Sequence, residues 1–310
     1  MPTYFPFLRG KQNELIAVRE LSGRIADSSA VRPIIEPVNG NATTIGALNE
    51  FYRQGMQFGL IVNPSHGEFA GNEARLLSDV IKPTVLDYDN FFPILQVDRN
   101  TSLAQVEWFK KQFPQEWKAV IYRAMPEVPR VLDWVTTDAR IYHHIFLDGR
   151  VSGEYVTQVP AARRVMIRDN FNKQERNKDY ELVEHFTDMN TLVGNPEGVG
   201  WGDFSIVGSK FSEGGGQAYA VAIHHVHQSQ NGDHLDVSHA ISDRQDTDED
   251  TPGKVIEAVN NLLSRVENLY PNDTSACREY QKMSRTGVSR GLGYLKRLAI
   301  RHHLEIFLPQ

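Results

Sequence analysis

Short apolar runs recur eight times along this chain, each followed by a polar loop and then, in order, a segment of helical period. The runs cover residues 4–8, 33–38, 58–62, 92–97, 118–122, 141–147, 164–167 and 203–207. The first seven are followed by helical segments at 12–26, 43–52, 72–81, 102–113, 128–135, 153–159 and 178–186, and the eighth helix is displaced to 254–269. A strand that returns parallel to its predecessor needs a crossover, normally a helix, so this alternation argues for a parallel sheet. Ile34-Ile35, Leu60-Ile61-Val62 and Val165-Met166-Ile167 are apolar on both faces, as strands covered on both sides must be. The chain of 310 residues suits one large α/β unit. The expected fold is α/β, a (β/α)8 TIM-barrel-like architecture spanning residues 1–270, with residues 271–310 as a C-terminal helical extension; an open doubly wound sheet is the rival architecture that the same periodicity allows.

The interval between the eighth run and its helix carries the other strong local signal. Two extended stretches flank Asn231-Gly232, the dipeptide that favours a type I′ hairpin turn because both of its residues tolerate positive φ. The reading is a hairpin insertion over 218–242. With Asn231 and Gly232 as the turn, His224 faces His239, His225 faces Ser238 and His227 faces Asp236. Two further helices are expected at 275–284 and 291–307.

Charge and cysteine content narrow the function classes. With 33 Lys and Arg against 39 Asp and Glu, the formal charge is -6, so no global field for polyanions exists and nucleic-acid contact would need a local patch. The single Cys277 excludes a disulfide framework and a multi-cysteine zinc site. No membrane-length apolar run occurs, and the first residues lack signal-peptide character, so a cytoplasmic protein without a membrane partner is expected.

In a barrel, ligands sit on the loops that leave the C-terminal ends of the strands. Reading those positions in turn gives Arg9 and Lys11, Glu36, Asn63 with His66, Asp98, Arg123, Asp148, Arg168 with Asp169, and Lys210 with Glu213. Arg9, Lys11, Asn63, Arg123, Arg168, Asn172 and Lys210 are the expected ligand-binding side chains. The backbone of Gly214, Gly215 and Gly216 adds N–H groups that can turn towards an anion. Glu36, Asp169 and Glu213 are the candidate acid–base or metal-binding carboxylates. Arg168, Asp169 and Glu213 are expected to share one site, because consecutive strands place their following loops on one rim. His224 opposite His239 could open a divalent-metal site completed by Glu213 or Asp243. The chain carries no Gly-x-Ser-x-Gly elbow and no His-Glu-x-x-His pair, which removes serine-hydrolase and zincin readings. The loop glycines do not form a P-loop. Arg285, Arg290, Lys296, Arg297 and Arg301 make the C-terminal helices the one basic region, a candidate surface for a protein partner or nucleic acid.

Together these residues lead to two functional expectations. One is an enzyme acting on a phosphorylated or nucleotide-like small molecule; the other is a non-catalytic binding or assembly subunit. Tyr4-Phe5-Pro6-Phe7-Leu8-Arg9-Gly10-Lys11-Gln12, Pro33-Ile34-Ile35-Glu36-Pro37-Val38, Arg168-Asp169-Asn170-Phe171-Asn172, the block from Phe211 to His224, and Ser238-His239 to Asp243 resemble a bacterial family described as "beta family" proteins. The resemblance covers essentially the whole chain and implies no particular activity or cofactor. It implies a role in anti-phage defence or in mobile-element neighbourhoods, where the assembly reading would belong.

Overall fold

The computed structural model describes residues 3–114, 117–189, 198–214, 218–266, 268–271 and 273–309. Nine strands form one curled, wholly parallel sheet: β1 (Thr3–Tyr4), β2 (Phe7–Leu8), β3 (Ile34–Ile35), β4 (Phe58–Ile61), β5 (Phe91–Val97), β6 (Lys118–Tyr122), β7 (Ile141–Leu147), β8 (Arg164–Arg168) and β10 (Gly200–Asp203). Their order is β1-β10-β8-β7-β6-β5-β4-β3-β2. The intervening helices include α1 (Gln12–Ala26), α2 (Ala42–Gln54), α3 (Glu73–Leu76), α4 (Lys82–Thr84), α5 (Leu103–Gln112), α6 (Pro129–Thr137) and α7 (Gly153–Gln158).

The alternation of side chains along each strand divides the interior in two. Leu8, Ile35, Leu60, Leu95, Val120 and Phe146 face the helices, sharing a core with Leu15, Val18, Leu48, Phe51 and Phe109. Phe5, Phe7, Ile34, Ile61, Phe92, Ile94, Ile121, Ile145, Val165 and Ile167 face one another across the concave side. A sheet face that fills itself in this way has to curl. The first strand is interrupted at Phe5-Pro6, where Pro6 has no N–H to donate to a ladder.

The last parallel strand lies earlier than the sequence suggests. Residues 200–203 form it, and 205–207, expected to be extended, are a 3-10 turn. The cause is the pair Gly200 and Gly202. A Cβ on Gly202 would overlap the Phe5 carbonyl oxygen, and one on Gly200 would overlap the Phe5 ring. Only glycine lets this strand approach the first one. Gly202→Ala is therefore expected to lower stability by about 1–3 kcal/mol through overpacking, read as a fall in the urea midpoint at unchanged m-value.

Residues 183–187 also depart from expectation. The helix expected over 178–186 does not form at its C-terminal end: Val183–Thr187 are β9, which pairs antiparallel with β12 (Leu235–Ile241). The hairpin partner of β12 is β11 (Ala222–Gln228), so the insertion is a three-stranded sheet ordered β11-β12-β9. The predicted register holds: His224 is opposite His239, His225 opposite Ser238 and His227 opposite Asp236. The turn differs. Gly232 alone takes positive φ, at 74°, and Ser229 exchanges backbone hydrogen bonds with Gly232 and His234. The Ser229 hydroxyl further donates to Asp233 at 2.9 Å. A longer loop centred on the same two residues thus preserves the register without a type I′ turn.

α8 (Thr251–Val266), α9 (Ser275–Thr286) and α10 (Leu292–Glu305) complete the chain. Val221, Ile223 and Ala240 of the small sheet share a core with Val255, Val259 and Leu262 of α8, Tyr280 and Met283 of α9, and Leu295 and Leu298 of α10. The C-terminal helices are thus packed on the insertion, and α10 also lies against α1. α10 is fastened to the parallel sheet by Tyr4, whose hydroxyl donates to Asp203 Oδ1 at 2.6 Å and lies 2.6 Å from His303 Nε2. Among the described residues, no helix is long and apolar enough to cross a membrane.

Candidate functional site

The C-terminal ends of the parallel strands converge on a buried charge cluster. Glu36, just past β3, has no exposed surface. One of its oxygens accepts from Arg9, the residue after β2. The other accepts from the Ser65 N–H at 2.7 Å and lies 3.3 Å from His66 Nδ1 and 3.6 Å from Arg123. Arg123, which follows β6, is oriented by Gln96 of β5: its Nε donates to Gln96 Oε1 at 2.7 Å. Burial pushes the Glu36 carboxyl up, but Arg9, the Ser65 N–H and Arg123 together hold it below its ordinary value. Glu36 is thus an ionised carboxylate between two guanidinium groups, with buried nitrogens on both (Arg9 Nε and Arg123 NH2) that make no hydrogen bond.

The loop after β10 folds over this cluster. Arg9 donates to the Ser209 carbonyl at 2.5 Å, Lys11 donates to the Ser212 carbonyl, and Asp169 accepts from the Ser209 N–H at 3.0 Å. Phe211 lies between His66, with ring centroids 4.5 Å apart, and Lys11, whose Nζ sits 4.7 Å above its ring. The mouth of the sheet is therefore filled by the protein's own side chains.

Open space lies beside it. A cavity of about 820 Å3 runs between residues 171–180, the beginning of β11 and α10. Lys173 and Lys296 line it together with Phe171, Tyr180, Tyr219 and His224. Burial, then Lys296 and Lys210, lower the Lys173 amine. Burial and Lys11 lower Lys296 against the opposing pull of Glu14. Lys296 and Lys210 acting on Lys173, and Lys11 on Lys296, mark a local excess of positive charge.

The remaining sequence candidates distribute as follows. Asn63 exchanges hydrogen bonds of 2.9 and 2.8 Å with the backbone of Gln96, which braces the Glu36 cluster. Arg168 does not join Glu213. It pairs instead with Asp148 at 3.4 Å and Asp188 at 3.7 Å, while Glu213 is exposed and Asp169 turns to the Ser209 backbone. Asn172 and Lys210 are exposed. Gly214 lines the cavity, and Gly215 and Gly216 lie outside the described residues.

His224 and His239 do meet, with Nδ1 atoms 2.7 Å apart. They sit in an aromatic enclosure in which Tyr180 stacks on His239 at 4.5 Å and Phe171 meets His224 edge-on at 4.8 Å. Burial lowers His224 to about 3 and His239 to about 4. One neutral ring donates to the other, which accounts for the contact. Among the described residues, the three-ligand clusters lie elsewhere.

The basic stripe of the C-terminal helices is largely consumed internally. Arg297 and Arg301 pair with Glu20 of α1 at 3.4 and 2.9 Å, and His302 and His303 are buried. Helical period marks Lys296 as polar, but only the fold places it against a cavity. His66, Gln96 and Phe211 are the other residues whose importance depends on the fold. No family model matches this chain, and no curated protein matches it.

Proposed function

We propose that the parallel sheet closes as a (β/α)8-type ring and that the cavity beside its mouth binds a phosphate-bearing, nucleotide-like small molecule. Closure is supported by the strand order, whose two edges are β1 and β2, adjacent in the chain and separated only by Phe5-Pro6. Ligand binding rests on one observation: the cavity unites the Lys173 and Lys296 amines, the first lowered in part by the second, with the aromatic rings of Phe171, Tyr180 and Tyr219. Lysines neutralise phosphate as point charges, and aromatic faces stack on a base. The Glu36 cluster holds Arg9, and with it the loop that carries Ser212 and Gly214 to the cavity wall. His224 lines the same wall, its ring held against His239 and kept neutral by burial. A second reading, an assembly subunit, draws on the small sheet's edge, where Leu182 and Val183 are 60% and 49% exposed.

A thermal-shift series with inorganic phosphate, sugar phosphates and nucleotides, each with and without Mg2+, tests the first reading. The magnesium arm is included because Glu175 and Asp246 are carboxylates of the cavity. A nucleotide at a hundredfold excess over its Kd is expected to add about 2.7 kcal/mol of stability. The shift should vanish in Lys173→Ala combined with Lys296→Gln. Absence of any shift in the wild type, or a shift intact in the double variant, overturns this reading and favours assembly.

A further inference from the structure

Away from that cavity, β11, the N-terminal turn of α9 and the last turn of α10 bring three soft or borderline donors together. His225, Cys277 and His302 are each no more than 1% exposed. Their ligand atoms all lie within 4.8 Å of one another, with Cys277 Sγ 3.9 Å from His302 Nδ1. His302 Nε2 lies 2.7 Å from the Val226 carbonyl. A carbonyl only accepts, so Nε2 carries the proton and the Nδ1 lone pair points towards Cys277 and the Thr274 hydroxyl, 2.8 Å away. Fixing the far nitrogen on a backbone carbonyl is how metal-ligating histidines are oriented. His225 supplies an independent sign: its Nε2 is buried and has no hydrogen-bond partner among the described residues. A buried nitrogen without a partner carries an uncompensated desolvation cost that a coordinated cation would remove.

We propose that His225 Nε2, Cys277 Sγ and His302 Nδ1 bind a Zn2+ ion, with the Thr274 hydroxyl at the fourth position. Zinc accepts such a mixed nitrogen and sulfur set in tetrahedral geometry, with bonds of about 2.0–2.1 Å to nitrogen and about 2.3 Å to sulfur. Those lengths place neighbouring donors roughly 3.3–3.6 Å apart, so the Cys277–His302 separation closes by a few tenths of an ångström. The larger adjustment falls on His225. Its ring stacks on His302 with centroids 3.8 Å apart, and it turns out of the stack so that its in-plane lone pair meets the ion. Binding releases the thiol proton of Cys277 to solvent and oxidises nothing. Burial already keeps both imidazoles neutral at pH 7. The ion would join one strand and two helices of the core that supports Lys296 and the cavity wall.

The test uses the full chain, stripped with a chelator under reducing conditions and titrated with Co2+. The expected result is one equivalent bound, with the intense visible bands of tetrahedral cobalt and a near-ultraviolet thiolate-to-cobalt band, all displaced by Zn2+. Zn2+ should also raise the melting temperature. In Cys277→Ser the thiolate band and the Zn2+ stabilisation should both disappear, while circular dichroism confirms that the variant is folded. His185→Ala should behave as wild type, because the His185–His234–Asp236 cluster, of which only His185 is exposed, is a separate group. Folded wild type without the thiolate band overturns the proposal. So does a band that survives Cys277→Ser or is lost in His185→Ala.

Discussion

Acidification from pH 7.5 to 5.5 is expected to remove at least about 5 kcal/mol of stability. Burial lowers His143 to about 3, His144 to about 4, and the adjoining His224 and His239 to about 3 and 4. A base whose folded pKa is depressed stays neutral in the native state while the unfolded chain takes up a proton near pH 6.5. The unfolded state therefore binds more protons throughout the window below 6.5, and stability falls as pH falls. Above that window these groups contribute nothing. One unit below the ordinary value each costs about 1.4 kcal/mol. Four such groups thus approach the entire stability of an ordinary domain, about 5–15 kcal/mol. Urea midpoints at pH 7.5, 6.5 and 5.5 provide the measurement.

His143 separates this cause from general acid effects. Neither of its ring nitrogens has a hydrogen-bond partner among the described residues, and the ring meets Phe5 and Phe92 edge-on at 5.3 and 6.0 Å. His143→Phe should therefore hold or raise stability at pH 7.5 and flatten the acid slope by about one proton. A midpoint that does not move between pH 7.5 and 5.5 would refute the linkage. A slope unchanged in His143→Phe would assign it to other groups.

The parallel strands were legible because burial on both faces forces near-continuous apolar runs, and 118–122 and 141–147 read directly as β6 and β7. The eighth run failed where packing demanded glycine, since Gly200-Trp201-Gly202 carries little β-forming signal and its reason for being a strand is Phe5. Val183-Glu184-His185-Phe186-Thr187 was misread for a related reason: alternation over five residues is weak until β12 supplies a partner. The site was legible in part. A polar residue at the C-terminal end of a strand is a positional signal, and Arg9, Glu36 and Arg123 do converge. Position along a rim does not fix side-chain direction, however, and Arg168 points to Asp148 and Asp188 instead of Glu213. Lys296 shows the same gap in reverse, because periodicity separates polar from apolar sides without saying what lies opposite.

Glu36→Ala is expected to cost about 3–5 kcal/mol, the range for removing one partner of a buried ion pair. The wild-type cluster holds two cations and one carboxylate, and Arg9 is only 5% exposed. Deleting the carboxylate leaves the Arg9 guanidinium with the Ser209 carbonyl as its hydrogen-bond acceptor and leaves Arg123 facing it across a buried void. The Ser65 N–H loses its acceptor as well. Glu36→Gln keeps the volume and an oxygen for that N–H, yet removes the charge, so it should fall between wild type and alanine. The pH dependence runs in a definite direction. The folded carboxyl is depressed, so its contribution is present above the ordinary carboxyl range and is lost as pH falls through the folded value. Below that point wild type and Glu36→Gln should converge. Denaturant curves at pH 7.5 and in acid, with His143→Phe as background to preserve the fold, measure both the gap and its closure. Equal stabilities of Glu36→Ala and wild type at pH 7.5 would mean that the arginines find other partners. The cluster would then be a loose surface network, without the organising role that its burial assigns to it.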